Sequence, residues 1–406
     1  MSRPARADWV LETVDSTSWN AAPSLAIDAD GNPHVAYVSA GALKYGEHAG
    51  GSWQTETVPV LPVSGCVPSL ALDSEGRPHI AYLGYIGSAH GVCYAHWTGT
   101  TWQTSLVAAG GLSTEYPALA LTAADEPRIA YMSHGDSGDT LWYASPSGTS
   151  WSSEHVCGSG YGCCGFVPSL ALDANGDPRI GWGYGGYLVY AWPGRAYPWP
   201  AEWIGQNVDQ YSASLVLDTA DQPHAVFVKQ LVDGRWLTYG ARVGGVWSFE
   251  AVTSWAARSR LAFDANDRPH IAYAESSWEN AGPLKYAHRT TSAWCIQTVD
   301  GANVSYLAIA VDPDGHPQIA YIASVGSETH LKCARWVPSI VTGDLNCDGC
   351  VGFGDINPFV LYLANFETWQ ATYPNCPAPN GDINGDGTYP SFRDINPFVT
   401  LMSGPP

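Results

Sequence analysis

One phrase recurs along the whole chain and decides what it can fold into. Its first copy reads Asp28-Ala29-Asp30-Gly31-Asn32-Pro33-His34, continued by Val35-Ala36-Tyr37 and preceded by Ser24-Leu25-Ala26-Ile27. It returns around Pro78, Pro127, Pro178, Pro223, Pro269 and Pro317, at spacings of 45, 49, 51, 45, 46 and 48 residues. Near-constant spacing over seven copies means a repeat architecture. Leu70, Leu72, Ile80 and Tyr82 alternate with small or polar neighbours, as half-buried strands do. Between the two runs, Asp bonds its own backbone, Gly permits positive φ and Pro presets φ for the next strand. The phrase drifts: Thr122 replaces the leading Asp in the third copy, and Asp221 and Asp267 replace Gly in the fifth and sixth. A turn tolerates such drift and a catalytic site does not, so the phrase reads as structural. The recurring His34, His79, His224 and His270 read as turn-capping side chains.

A third strand follows each copy: Leu43-Lys44-Tyr45, Val92-Cys93-Tyr94, Leu141-Trp142-Tyr143, Leu188-Val189-Tyr190, Leu237-Thr238-Tyr239, Leu284-Lys285-Tyr286 and Leu331-Lys332-Cys333. A fourth often opens with Trp, at Trp53, Trp102, Trp151, Trp247 and Trp294. In the fourth copy Pro193, Pro198 and Pro200 mark an irregular edge strand. Four strands, seven times, predict a seven-bladed β-propeller over residues 8–336. The seventh copy ends at Trp336 without a fourth strand. The segment 9–14, Trp9-Val10-Leu11-Glu12-Thr13-Val14, matches Trp53-Gln54-Thr55-Glu56-Thr57-Val58 and is expected to close blade seven.

Region 8–336 resembles the broad superfamily of sialidase-like and BNR-type propellers, on its repeat layout and the Asp-x-x-Gly-x-Pro-His-Ile-Ala-Tyr phrase. The Ser-x-Asp-x-Gly-x-x-Trp box of true sialidases is not evident. Their arginine triad is not identifiable either, since arginines such as Arg128 and Arg179 occupy repeat positions.

The formal charge of −20 argues against a nucleic-acid partner. No run of about 18 apolar residues predicts a membrane span, and residues 1–8 hold no apolar stretch of the signal-peptide kind, so they read as a mature start. Ten cysteines point to an oxidising, extracellular or cell-surface setting. A bridge from Cys157 to Cys163 or Cys164, and one from Cys347 to Cys376, fit the spacing.

Function is expected in the variable loops of such a scaffold. Between strands two and three these carry Tyr85, His90, His134, Asp136, Asp139, Tyr184, Tyr187, Trp278 and Glu279; between copies they carry Glu115, Tyr116, Asp209, Gln210, Tyr211 and Trp255. Aromatic rings beside carboxylates and amides suit sugar recognition, because ring faces stack on C–H surfaces and polar groups bond hydroxyls. The expected ligand set is Tyr85, His90, Glu115, Tyr116, His134, Tyr184, Tyr187, Asp209, Tyr211, Trp255, Trp278 and Glu279. A carboxylate pair would serve glycoside hydrolysis, and a loop His with Tyr a polysaccharide lyase, but no spacing selects a catalytic residue.

After a 337–343 linker the composition shifts. Asp344, Asn346, Asp348, Cys350 and Asp355 stand at positions 1, 3, 5, 7 and 12 of a loop with Gly349 at position 6. That is the oxygen-ligand spacing of an EF-hand calcium loop, with Cys350 giving its carbonyl. A second loop offers Asp382, Asn384, Asp386, Thr388 and, one residue late at position 13, Asp394. The phrase Asp355-Ile356-Asn357-Pro358-Phe359-Val360 recurs as Asp394-Ile395-Asn396-Pro397-Phe398-Val399. The duplicated unit, residues 344–406, resembles a type I dockerin. That resemblance implies Ca²⁺ and a cohesin-like or cell-surface partner. Positions 10 and 11 of the loops, Phe353-Gly354 and Ser391-Phe392, depart from the family's Ser/Thr pair.

The sequence thus predicts an all-β seven-bladed propeller with a small α-helical, EF-hand-like C-terminal domain. The expected protein is an exported, monomeric glycan binder tethered through calcium. The alternatives are a propeller lyase or glycoside hydrolase, and a protein-binding scaffold.

Overall fold

A computed structural model describes residues 8–16, 22–61, 63, 67–110, 114–135, 138–157, 165–194, 198–209, 212–276, 282–290, 293–326, 328–337, 341–347, 350–374 and 376–403. The chain is mostly strand. Five four-stranded antiparallel sheets follow one another in chain order, each with its strands in sequence. The first is Ser24–Ile27, Pro33–Ser39, Ala42–Ala49 and Ser52–Thr57. The sixth is a seven-stranded sheet, and at its edge Asp8–Ser16 lies beside Glu328–Val337. Within it, Trp294–Val311 is one continuous strand of 18 residues, ending the sixth copy of the repeat and opening the seventh.

Each turn is built as the sequence requires. Asp28 Oδ1 accepts the amides of Asp30 and Asn32 at 3.0 and 2.8 Å. Asp73, Asp173, Asp218, Asp264 and Asp312 do the same in their copies. His34, His79 and His270 stand 2.5 Å from the hydroxyls of Tyr45, Tyr94 and Tyr286, and His224 stands 2.6 Å from Tyr239. The other ring nitrogens face the turn aspartates. These histidines belong to the scaffold. The drift at the glycine also has a reason. Asp125, Asp221 and Asp267 take left-handed φ of 60°, 58° and 57°, which Asp tolerates better than most residues. Asp125 and Asp267 each accept both an amide and a hydroxyl from the preceding turn, at Ser74 and Thr219, and Asp221 accepts the amide of Ala174.

Neighbouring sheets are joined by an indole handoff. Trp102 Nε1 donates to Glu56, Trp151 to Ser105 and Trp247 to Glu202, at 2.8, 3.0 and 2.9 Å. Each acceptor lies three residues after the Trp of the preceding copy. Trp53 donates to Glu12 at 3.1 Å, so the segment after Trp9 takes the place of a preceding copy. Asp15 accepts Tyr37 Oη and Lys44 Nζ, both at 2.8 Å. Asp300 repeats this with Tyr321 at 2.7 Å and Lys332 at 3.2 Å. The N-terminal strand therefore makes the contacts of an ordinary fourth strand, as its sequence match predicts.

The chain divides into two compact units. One comprises Leu11–Tyr286 and Thr298–Ala334. Its core runs through successive sheets, with Val35, Ile80, Ile129, Ile180, Val226, Ile271 and Ile319 all fully or almost fully buried. The other comprises Met1–Val10, Ala287–Gln297 and Arg335–Pro406. It thus joins the C-terminal segment to two earlier segments that contain strand residues. A disulfide between Cys295 and Cys350, which the spacing did not suggest, ties one of those segments to the first loop. The expected Cys347–Cys376 bridge is present. Cys157 is also disulfide-bonded; Cys163 and Cys164 lie outside the described residues. The helices of this unit are α1 (Ile356–Ala364), α2 (Phe366–Thr372) and α3 (Ile395–Ser403). Phe359 and Phe398, equivalent in the duplicated phrase, stack at 4.2 Å. With Leu345, Tyr362, Trp369 and Cys376 they form a small core. Among the described residues no helix is long and apolar enough to cross a membrane.

Candidate functional site

Residues from all seven copies of the repeat line one cavity of about 520 Å³, within the range of small-ligand pockets. Its walls are the inner strands, just before the turn phrase. Counted back from the turn residue, the sixth position reads Ala22, Val67, Tyr116, Val167, Ser212, Arg258 and Tyr306. Small or apolar residues give way to two tyrosines and an arginine in the third, sixth and seventh copies. The strand register breaks in these copies, between Glu115 and Ala118, Ala257 and Ser259, and Val304 and Leu307, as it also does between Phe166 and Ser169 in the fourth copy, where the bulge carries Val167 instead. A bulge places an extra residue against its partner strand and re-aims a side chain. Here Tyr116, Arg258 and Tyr306 occupy the bulges and line the cavity. Tyr116 and Arg258 carry φ of 58° and 49°, uncommon for non-glycine residues and concentrated at functional sites.

The fourth position before the turn shows the same division. Ser24, Ser69, Ser169 and Ser214 accept the amides of Leu70, Leu119, Leu215 and Leu261 in the following copy, at 2.9 to 3.4 Å. Arg260 replaces this serine in the sixth copy and lines the cavity instead. Burial, reinforced by the neighbouring charge of Arg258, pulls its guanidinium down to about 10. The Arg258 guanidinium lies over the Tyr306 ring, 4.6 Å from its centroid. A third arginine, Arg235, is buried and ion-paired with Asp209, and its Nε donates to Ala256 O at 3.1 Å. Asp209 is held in turn, since its carbonyl accepts the Ser212 amide and hydroxyl.

The cavity thus gathers three guanidiniums against one carboxylate, in a chain with 38 acidic and 18 basic residues. Such a local field attracts anions, and guanidinium geometry suits carboxylate, sulfate or phosphate. Arg128 and Arg179 do serve turns, pairing with Glu126 and Asp173. Arg235, Arg258 and Arg260 do not belong to the turns and line the cavity.

Of the residues expected from sequence, Tyr116 and Asp209 line this cavity. Trp255 stands just outside it and is exposed. Tyr85 and His90 are cross-strand partners with rings 4.6 Å apart and do not line it. Tyr184 and Tyr187 flank Trp203 at 5.6 and 5.4 Å, away from the lining. Glu115 and His134 lie in strands Thr114–Leu121 and Pro127–Gly135, their side chains beyond the described part. Tyr211, Trp278 and Glu279 lie outside the described residues, as do Asp136 and Gln210. Arg258, Arg260 and Tyr306 sit on inner strands and Arg235 on the strand Gly234–Val243, outside the variable loops where function is expected. The available signal was departure from the repeat at fixed positions.

In the C-terminal unit, Asp355 Oδ1 accepts the amides of Leu345 and Asn346 at 2.8 and 3.2 Å. Asp394 Oδ1 accepts those of Ile383 and Asn384 at 2.8 and 2.9 Å. The extra residue of the second loop therefore leaves Asp394 in an equivalent place. Asp344, Asp355 and Asp394 are buried, and Asp394 Oδ2 has no hydrogen-bond partner among the described residues. A buried orphan carboxylate oxygen amid Asp382, Asn384 and Asp386 fits a hard cation. Asp348 lies outside the described residues. Elsewhere, His288, Cys295 and Cys350 bring ligand atoms within 4.8 Å of one another, but the two sulfurs are committed to their disulfide.

No protein-family model and no curated protein matches the chain. Solved structures do. An ulvan lyase, described as a new family of polysaccharide lyase and bound to -[GlcA(1-4)Rha3S]-, aligns with a TM-score of 0.56 at 14% identity, over 80% of this chain and 95% of that one. Another structure of that kind of lyase gives 0.53 at 14%, over 81% and 95%. Polysaccharide lyase Uly1 gives 0.50 at 10%, over 77% and 90%. At these identities the likeness establishes the fold, a β-propeller.

Proposed function

We propose that this is a seven-bladed propeller that binds an acidic polysaccharide in its central cavity. In this reading Trp294–Val311 joins blades six and seven, and Asp8–Ser16 supplies the last strand of the seventh. The observation that carries the ligand class is the cation surplus left at Arg258 and Arg260 once Arg235 is paired with Asp209, inside a strongly acidic chain. Nonspecific electrostatics would repel a polyanion from most of this surface, so binding needs such a pocket. The propeller likeness to polysaccharide lyases supports a glycan over a protein ligand. The test is affinity electrophoresis and calorimetry on uronate-containing, sulfated and neutral polysaccharides. Binding of the neutral polymers alone would sink the reading.

A lyase is the second reading, favoured by Tyr116 and Tyr306 sharing the cavity with Arg258 and Arg260. β-Elimination from a uronate requires its carboxylate charge to be offset while a base takes the neighbouring C–H proton. The phenolic oxygens and guanidiniums are the groups that chemistry needs. Ultraviolet absorbance of an unsaturated uronate product tests it directly.

The C-terminal unit is proposed to be a dockerin-like, calcium-stabilised tether to a cohesin-like or surface protein, in an exported monomer. Asp344, Asn346, Asp348, Asp355 and the Cys350 carbonyl would hold one Ca²⁺, and Asp382, Asn384, Asp386, Asp394 and the Thr388 carbonyl a second. This unit has six Asp, one Glu and one Arg over residues 344–406, a net charge of −6 that a divalent cation offsets. Phe353, Ile356 and Val360 and their counterparts Phe392, Ile395 and Val399 are all exposed, as a docking face requires. Calorimetric calcium titration of the full chain, and of Asp394→Ala, decides whether the loops bind.

A further inference from the structure

Trp255 is 47% exposed, so its ring contributes only part of its surface to the core. Its backbone nevertheless holds a left-handed φ of 61°, a conformation bulky residues rarely adopt. The residue beneath the ring is Gly234, itself at φ 141°, where a Cβ would lie 3.4 Å from indole atoms Cη2 and Cζ3. Burial gain does not explain a ring held in this way.

Gly234 opens the strand Gly234–Val243, and Trp255 is the bend between Val246–Ser254 and Ala256–Phe263; Gly234–Val243 and Ala256–Phe263 both carry cavity residues. Gly234 precedes Arg235. Trp255 is followed by Ala256, whose carbonyl accepts Arg235 Nε at 3.1 Å, and then by Ala257 and Arg258 in the cavity wall. The Trp255 carbonyl accepts the Ser276 amide at 2.7 Å. The indole packs on Gly234, one residue before the lining Arg235, and its own backbone stands two residues before the lining Ala257. Arg235 itself is locked to Asp209.

We propose that Trp255 is a sugar-stacking platform beside the cavity, taking the neighbour of the anionic sugar held by Arg258 and Arg260. This rests on the acidic-polysaccharide reading. The chemistry is an indole face against the C–H face of a pyranose. The platform therefore selects for chain length, whereas the arginines select for charge.

The test uses the full chain with digalacturonate, hexagalacturonate and polygalacturonate, and with dextran sulfate as a sulfate-only arm. Trp255→Ala is expected to weaken hexagalacturonate binding about tenfold and leave digalacturonate within about twofold. Trp255→Phe is expected to keep most of the affinity, which guards against a folding artefact. If the sulfate arm is the one that binds, short and long dextran sulfate oligomers replace the galacturonates. Equal affinity of Trp255→Ala and the parent chain for the long oligomer, while Arg258→Ala with Arg260→Ala weakens every oligomer, would overturn the platform and leave the charge reading intact. Absence of binding in both arms overturns both.

Discussion

In the first, second, fourth and fifth copies, Ser24, Ser69, Ser169 and Ser214 accept an amide from the next copy; in the third, sixth and seventh, the same position holds Ala118, Arg260 and Ala308. Two residues earlier, Tyr116, Arg258 and Tyr306 replace small or apolar side chains in those same three copies. The turns do not divide this way. The sixth copy keeps Asp264, Arg268, His270 and Tyr286 in the ordinary arrangement. A single copy thus holds its outer end to the scaffold pattern and releases its inner end for the cavity. Site and scaffold are separable by position within the repeat rather than by region of the chain.

The harshest way to break this comparison removes the closing strand. Deleting residues 1–16 takes away Glu12 and Asp15 and leaves the edge of Glu328–Val337 unpaired. The expected outcome is aggregation and loss of the cavity together, read by light scattering and a binding assay. A monomer with unchanged Tm would refute the closure. Next in size is Asp264→Ala, a scaffold change in a site copy. It removes the buried partner of Arg268 and two backbone amides, and is expected to cost about 3 kcal/mol. Binding per folded molecule should hold, which denaturation and calorimetry measure separately.

A reciprocal change sharpens the contrast. Arg260→Ser restores the repeat and offers a hydroxyl to the Ile309 amide of the next copy. Stability is expected to rise by about 1 kcal/mol while acidic-polysaccharide affinity falls about 10- to 100-fold. A variant that binds as well as the parent would return Arg260 to the scaffold.

The smallest effect is that of pH. Burial holds His79 and His270 below the ordinary histidine value, against the pull of Asp73 and Asp264. The unfolded chain therefore binds more protons below about pH 6.5, and stability falls as pH drops through that window. Burial opposes ionisation of Asp73 and Asp312 too, but their hydrogen bonds outweigh it and keep both carboxyls low. Their contribution is present above about pH 4 and is lost as pH falls further. Thermal melts should be level from pH 8 to about pH 6.5 and decline from there to pH 3, with steeper loss between about pH 6.5 and pH 4 for the parent than for His270→Gln. A flat profile would remove these groups from the stability account.

Much of the propeller was legible because its repeat is written in strand periodicity and turn chemistry, which are local. The place of the N-terminal strand was legible too, since Trp9 to Val14 copies a fourth strand and Glu12 meets Trp53 as that copy implies. The two halves of the C-terminal unit announced themselves by their duplicated phrase, and the stacking of Phe359 on Phe398 follows from it. The Cys295–Cys350 pairing was not legible, because it joins segments 55 residues apart that no local rule relates. The cavity arginines were overlooked for another reason. Repetition draws attention to what recurs, and Arg258 and Arg260 are informative because they do not.

Sheet closure by the residues Asp8–Ser16 also sets a timetable for synthesis. That strand leaves the ribosome well before its neighbour, since Glu328–Val337 begins 312 residues after Ser16. At about 5–20 residues per second, it waits roughly 15–60 s for the strand it lies beside. Sheets made in between can form one by one, since each is contiguous in the chain. The final join cannot be hurried by any of them. Newly made chains therefore pass through an open form whose first and last edges are both bare, and in that interval they are most exposed to pairing with a neighbour.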